Sequence, residues 1–122
     1  MHVVIAASAL PLFVGALLSD WAYSHSFQIQ WINFSSWLIA GALLLTGIAL
    51  AWALVDVLRR RSGIVYPLLL AATFVVGFFN ALVHARDAWA TMPTGLALSA
   101  VVAVLAVIAT GVGLAAWHRR PA

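Results

Sequence analysis

Few side chains in this sequence could transfer a proton or bind a metal. Its 122 residues include four histidines, three aspartates and six arginines, with no lysine, glutamate or cysteine. The lack of cysteine excludes disulfides, thiolate metal sites, iron–sulfur clusters and covalent haem attachment. Any haem would therefore have to be held non-covalently, and histidine would be its natural ligand.

Polar residues are concentrated at the ends of the first and third apolar stretches. Asp20 ends the first stretch, and His84, Arg86 and Asp87 end the third, which also carries Asn80. We predict that these five residues form a polar outer cluster or docking site. A carboxylate beside His84 would orient its ring, and Arg86 can pair with either acid. The alternative is ordinary interfacial chemistry, in which His84 and Arg86 stabilise a helix C-terminus.

The other histidines give weaker signals. His25 lies in the predicted loop 24–31, on the same side as His84. His2, Asp56 and His118 should meet at the opposite side, where interface anchoring is the favoured interpretation.

Four apolar stretches must position these residues, and each is long enough to cross a bilayer core of ~20 helical residues. Hydrophobic residues make up 66% of the chain and charged residues 7%, whereas soluble domains have roughly 25% charged residues. We therefore predict a single integral membrane domain over residues 1–122. Its fold class is all-α, an up-down-up-down four-helix transmembrane bundle with helices at about 3–23, 33–58, 64–86 and 94–117.

Polar and small residues follow one face of each predicted helix. In helix 3 this face carries Asn80 and His84, and it must point into the bundle because hydrocarbon penalises unpaired polar groups. Small residues on the other helices would allow close packing. The predicted inward faces are Tyr66, Thr73, Gly77, Asn80, His84 and Asp87 in helix 3, Ser99, Ala103, Ala106, Thr110 and Gly113 in helix 4, Ala42, Thr46, Ala49, Ala53 and Asp56 in helix 2, and Ser8, Gly15 and Ser19 in helix 1.

The arginines predict the orientation. Five of the six lie on one side of the membrane, in the loop after helix 2 and in the C-terminal tail. The positive-inside rule places that side in the cytoplasm, with both termini, so the localisation expected is the bacterial inner membrane. Arginines beside membrane spans do not indicate nucleic-acid binding. The predicted topology anchors are Arg59, Arg60, Arg61, Arg119 and Arg120.

Three classes of function remain open at this stage. A redox subunit could hold non-covalent haem b between His25 and His84, with Met92 as a substitute ligand. A non-catalytic anchor or accessory subunit could dock a protein partner, a lipid or a quinone at its outer rim. Catalysis by the chain alone is not expected, because no nucleophile has a base and no metal-spaced motif is present. The few ionisable groups show no obvious transport pathway unless the protein forms a homo-oligomer.

Three segments carry a resemblance to a known family. LPLFVGALLSD from Leu10, WINFSSWLIAG from Trp31 and NALVHARDAWATMPTGLALS from Asn80 resemble the small four-helix bacterial membrane proteins grouped as domain of unknown function 2231. The likeness covers nearly the whole chain. His2 is similar to the histidine that opens the family's first helix, although Val3 follows here where many relatives have proline.

The family resemblance implies a location and a class of partner. Such domains resemble modules associated with quinoprotein sugar dehydrogenases and Rieske-type proteins. The expectation is therefore a membrane anchor or accessory subunit for a periplasmic redox partner of dehydrogenase type, in contact with quinone. The alternative is a small b-type cytochrome.

Overall fold

The computed structural model describes residues 2–60, 63–86 and 92–118, and these form four helices. Helix α1 spans His2–Ser26, α2 spans Ile29–Arg60, α3 spans Val65–His84 and α4 spans Thr94–His118. All four are long and apolar enough to cross a membrane. The predicted fold class is confirmed: the chain is an all-α four-helix bundle of a multi-pass membrane protein.

The helices pack as a closed ring. Helix α1 contacts α2 and α4, and α3 contacts the same two neighbours. Consecutive helices are antiparallel, because the C-terminal end of α1 meets the start of α2 and the end of α3. We call the end that contains Asp20 and His84 the outer end, and the end that contains His2 and Asp56 the inner end.

The predicted inward faces of α2, α3 and α4 are largely confirmed. In α3, the residues buried between the other helices include Tyr66, Thr73, Gly77, Asn80 and His84. The opposite face of α3 is exposed, as apolar side chains facing lipid should be; it carries Leu68, Val75, Phe79 and Leu82. Membrane helices hide polar groups inside the bundle, because lipid offers them no hydrogen bonds.

The inward face of α1 differs from the prediction at one position. Ser8 is exposed, and its hydroxyl donates to the Val4 carbonyl at 2.8 Å. A serine on the lipid face is tolerated when its hydroxyl bonds the preceding turn in this way. Apolar and aromatic residues such as Phe13 and Tyr23 fill the α1 core face instead.

The predicted loop 24–31 is mostly helical. α1 continues through His25 to Ser26, and α2 begins at Ile29, so the connection is only two residues. Within this last turn the serine hydroxyls bond to the helix itself, since Ser24 donates to the Trp21 carbonyl and Ser26 to the Ala22 carbonyl. Phe27 then ends the helix in the left-handed conformation with φ 55°. His25 therefore projects from a helix rather than from a loop.

Candidate functional site

The outer end contains a buried hydrogen-bonded network that joins all four helices. We call it the outer network. It consists of Asp20 from α1, Ser35 from α2, Asn80 and His84 from α3, and Ser99 from α4. Asp20 is 0% exposed and His84 is 7% exposed.

Asp20 and His84 form the centre of the outer network. His84 Nε2 lies 2.8 Å from Asp20 Oδ1 and 2.9 Å from Oδ2. Ser99 Oγ donates to Asp20 Oδ2. A carboxylate is stable away from water only when it is paired and hydrogen-bonded, and both conditions are met here.

The contact of the other His84 ring nitrogen, Nδ1, shows that this nitrogen carries a hydrogen. Nδ1 lies 2.8 Å from the backbone carbonyl of Asn80, one turn earlier in α3. A carbonyl only accepts, so Nδ1 must carry a hydrogen. The second exchangeable proton of the pair then lies between Nε2 and the carboxylate, and the pair is neutral overall.

Ser35 is a second neighbour of His84 Nε2. Its hydroxyl donates to the Ala16 carbonyl at 3.3 Å, and its oxygen is 3.2 Å from His84 Nε2. Ser35 Oγ and the Asp20 carboxyl oxygens therefore all lie within hydrogen-bond distance of His84 Nε2.

Asn80 links the pair to α4 and leaves one atom without a partner. Its Nδ2 donates to Ser99 Oγ at 2.9 Å. Its Oδ1 is buried and accepts no hydrogen bond from the residues that the structure describes.

The structure brings together only part of the predicted outer cluster. Asp20, Asn80 and His84 meet, whereas Arg86 is exposed and forms no ion pair with Asp20. His84 and Ser99 occupy the hydrogen-bonding positions beside the Asp20 carboxyl group instead. Asp87 lies outside the described residues, as do Arg61, Arg119 and Arg120. Arg59 is exposed at the end of α2, and Arg60 is the last residue of that helix.

Sequence reasoning missed Ser35 as a member of the site. The sequence pattern places Ser99 in a packing stripe of small residues, and Ser35 belongs to the WINFSSWLIAG segment without a spacing that marks it. Both serines face the interior at the depth of Asp20, which only the packing of four helices defines.

His25 does not join His84. It is exposed, and its Nδ1 lies 3.0 Å from the Trp21 carbonyl and 3.2 Å from Ser24 Oγ. Its ring packs edge-on against Trp21, with centroids 4.9 Å apart. Among the described residues, no three histidine or carboxylate side chains are grouped to hold a metal ion.

A second histidine–aspartate pair lies at the inner end. His2 Nε2 is 3.1 Å from Asp56 Oδ2, and the His2 ring stacks on Tyr66 with centroids 5.4 Å apart. Tyr66 packs against Gly113 of α4. His118 is exposed on the last turn of α4, so the predicted inner group forms around Tyr66 instead.

Comparisons with protein-family models, curated proteins and solved structures found no match to this chain. The resemblance to domain of unknown function 2231 therefore stays a prediction.

Proposed function

We propose that this multi-pass membrane protein is a non-catalytic anchor or accessory subunit for a periplasmic redox partner of dehydrogenase type. The observation that carries the proposal is the outer network. It ties the outer ends of all four helices together through Asp20, Ser35, His84 and Ser99. Such cross-linking makes the outer end a rigid platform, and preorganised surfaces bind partners at lower entropic cost.

The surface around that platform suits a protein partner at the membrane interface. Trp21, Phe27, Ile29 and Phe34 are each more than half exposed around the short α1–α2 connection. Gln28 and Gln30 lie exposed among them. Aromatic residues with adjacent hydrogen-bonding groups are common both in interfacial belts and in protein interfaces.

We also propose that the outer end contacts a quinone. Reduction of a quinone takes up protons, and the Asp20–His84 pair holds one near the outer end. A quinone there would lie beside the outer network and not within it, because Asp20 is fully buried. The family resemblance supports the same class of partner.

The proposed orientation places both termini in the cytoplasm of a bacterial cell, with the outer end in the periplasm. The support is the arginine distribution, with five of six arginines near the inner end.

Partner binding can be tested with a matched pair of tryptophan variants. The tagged protein would be purified in mild detergent from its native membranes, and the fraction assayed for dye-linked dehydrogenase activity. We expect such activity to copurify with the wild-type chain and with Trp117→Ala, whose tryptophan is exposed at the inner end. Trp21→Ala at the outer rim should lose it. Equal loss or equal retention in the two variants would contradict the proposal.

The haem alternative has no specific support from the site geometry. Both ring nitrogens of His84 already form hydrogen bonds, and iron ligation would have to break one of them. An absorption spectrum of the purified protein, before and after dithionite, tests this directly. We expect no Soret band from the chain after expression with ample haem. A band that shifts on reduction and disappears in His84→Ala would identify a b-type cytochrome and replace the anchor proposal.

A further inference from the structure

Buried polar groups are placed at three depths inside the bundle. The inner pair His2–Asp56 lies at one end and the outer network at the other. The polar face of α3 connects them through Tyr66, Thr73, Asn80 and His84, all of which are buried. At a rise of about 1.5 Å per residue, these positions are separated by roughly 10, 10 and 6 Å.

The middle depth is a small cavity. Three threonines line it, Thr46 from α2, Thr73 from α3 and Thr110 from α4. Its volume of about 10 Å³, counted as the space open to the centre of a water molecule, is room for roughly one water. Thr73 donates to the Leu69 carbonyl, so its oxygen can still accept. Thr46 and Thr110 each add a hydroxyl-bearing side chain to the lining.

Two buried polar atoms lack partners on either side of this cavity. Tyr66 Oη lies on the inner side and Asn80 Oδ1 on the outer side, and neither bonds any residue that the structure describes. Tyr66 packs against Gly113, which is one helical turn from Thr110. Buried groups of this kind are normally satisfied by water.

The Phe13 ring separates the cavity from Asn80. It lines the cavity, and it also approaches Gly77, which lies between Thr73 and Asn80 on the α3 face. An added Cβ at Gly77 would be 3.6 Å from Phe13 Cε1. Phe13 packs in an apolar cluster with Ala9, Ala42, Val102 and Ala106, so the path is apolar at this depth.

We propose that these groups form a proton pathway through the bundle, with a water molecule in the threonine cavity as its middle step and Phe13 as its barrier. A proton enters at Asp56, whose side chain is 19% exposed, and reaches the cavity past Tyr66. It crosses Phe13 by way of transient water and arrives at the outer network. There it displaces the proton that the Asp20–His84 pair already holds. The displaced proton leaves from His84 to water beside the exposed residues Ala85 and Arg86, so each proton taken up releases one.

The pathway does not depend on the anchor function, because it uses only this chain. The test reconstitutes the purified protein in liposomes that contain a pH-sensitive dye, with a valinomycin-imposed potassium potential, negative inside. We expect faster internal acidification than in protein-free liposomes. Asp56→Asn and Asp20→Asn should return the rate to the protein-free level, and Phe13→Ala should raise it above wild type.

A matched pair of threonine variants controls for the effect of a Thr→Val change itself. Thr73→Val removes a cavity hydroxyl with little change of shape and should slow the flux. Thr94→Val makes the same change at an exposed position and should leave it unchanged. Size-exclusion profiles and helicity select the folded variants before comparison. Wild-type flux equal to that of protein-free liposomes would overturn the pathway, as would flux that Asp56→Asn and Thr73→Val leave intact.

Discussion

His84 illustrates how a single ionisable residue is held inside a membrane bundle. Its imidazole has a hydrogen-bond acceptor at each nitrogen, the Asn80 carbonyl at Nδ1 and the Asp20 carboxylate at Nε2. The pair is neutral overall, so no net charge remains in the apolar interior. Each partner is therefore required by the other, because a lone buried charge is far more costly than a pair.

The first prediction follows from this mutual dependence. His84→Ala leaves the buried Asp20 carboxyl group without its hydrogen-bond partner and should destabilise the protein by roughly 3–5 kcal/mol. His118→Ala should have little effect, because His118 is exposed at the end of α4. Thermal unfolding of both variants in the same detergent measures the difference. Equal midpoints would mean that Asp20 does not depend on His84.

At the scale of the helices, close approach depends on two glycines. An added Cβ at Gly113 would lie 2.7 Å from Tyr66 Cε1, and one at Gly77 would lie 2.8 Å from Leu43 Cδ2. The tip of a leucine can rotate away, whereas a buried aromatic ring stacked on His2 cannot. Gly113 is thus the tighter constraint on how α4 packs against α3.

A pair of glycine variants on α4 tests this constraint. Gly113→Ala forces Tyr66 to move and should cost about 1–3 kcal/mol of stability. Gly111→Ala is the matched control, because its Cβ would meet nothing within 4 Å. It should leave the unfolding midpoint unchanged or slightly higher, since alanine favours helix more than glycine does. A larger loss in Gly111→Ala than in Gly113→Ala would contradict the packing described.

At the scale of the whole molecule, α2 is longer than the membrane core. Its 32 residues extend about 48 Å, against a hydrocarbon thickness of roughly 30 Å. The helix must therefore tilt or project beyond the core, and its exposed Trp37 faces away from the bundle. The proposed orientation directs the arginine-bearing end of α2 to the cytoplasm.

Cysteine labelling tests the orientation without background, because the native chain has no cysteine. Gln30→Cys and Gly63→Cys place single thiols at exposed positions near opposite ends of the bundle. In spheroplasts, a membrane-impermeant maleimide should label the cysteine at position 30 at once and the one at position 63 only after lysis. The reverse pattern would invert the topology.

The sequence alone determined the architecture and much of the buried face. Four apolar stretches require four spans, because only a helix satisfies its backbone hydrogen bonds within lipid. The same physics directs polar residues inward, which is why the spacing of Thr73, Asn80 and His84 predicted their burial. Helix ends were less predictable. Helix α1 continues beyond its apolar stretch to Ser26, where serine hydroxyls bond to the preceding turn, and hydropathy does not report such local bonds.

Only the tertiary structure decided which polar residues meet. Asp20 and His84 are 64 residues apart, and their contact depends on the relative depth and rotation of α1 and α3. The same packing brought in Ser35 and Ser99 and left Arg86 outside. Spacing along one helix defines which residues share a face. Hydrogen bonds between helices also require the right relative depth and rotation, which arise only when the four faces pack together. The sequence therefore determined which segments span the membrane and which face of each helix points inward. The packing of the four helices then decided which atoms share the buried proton.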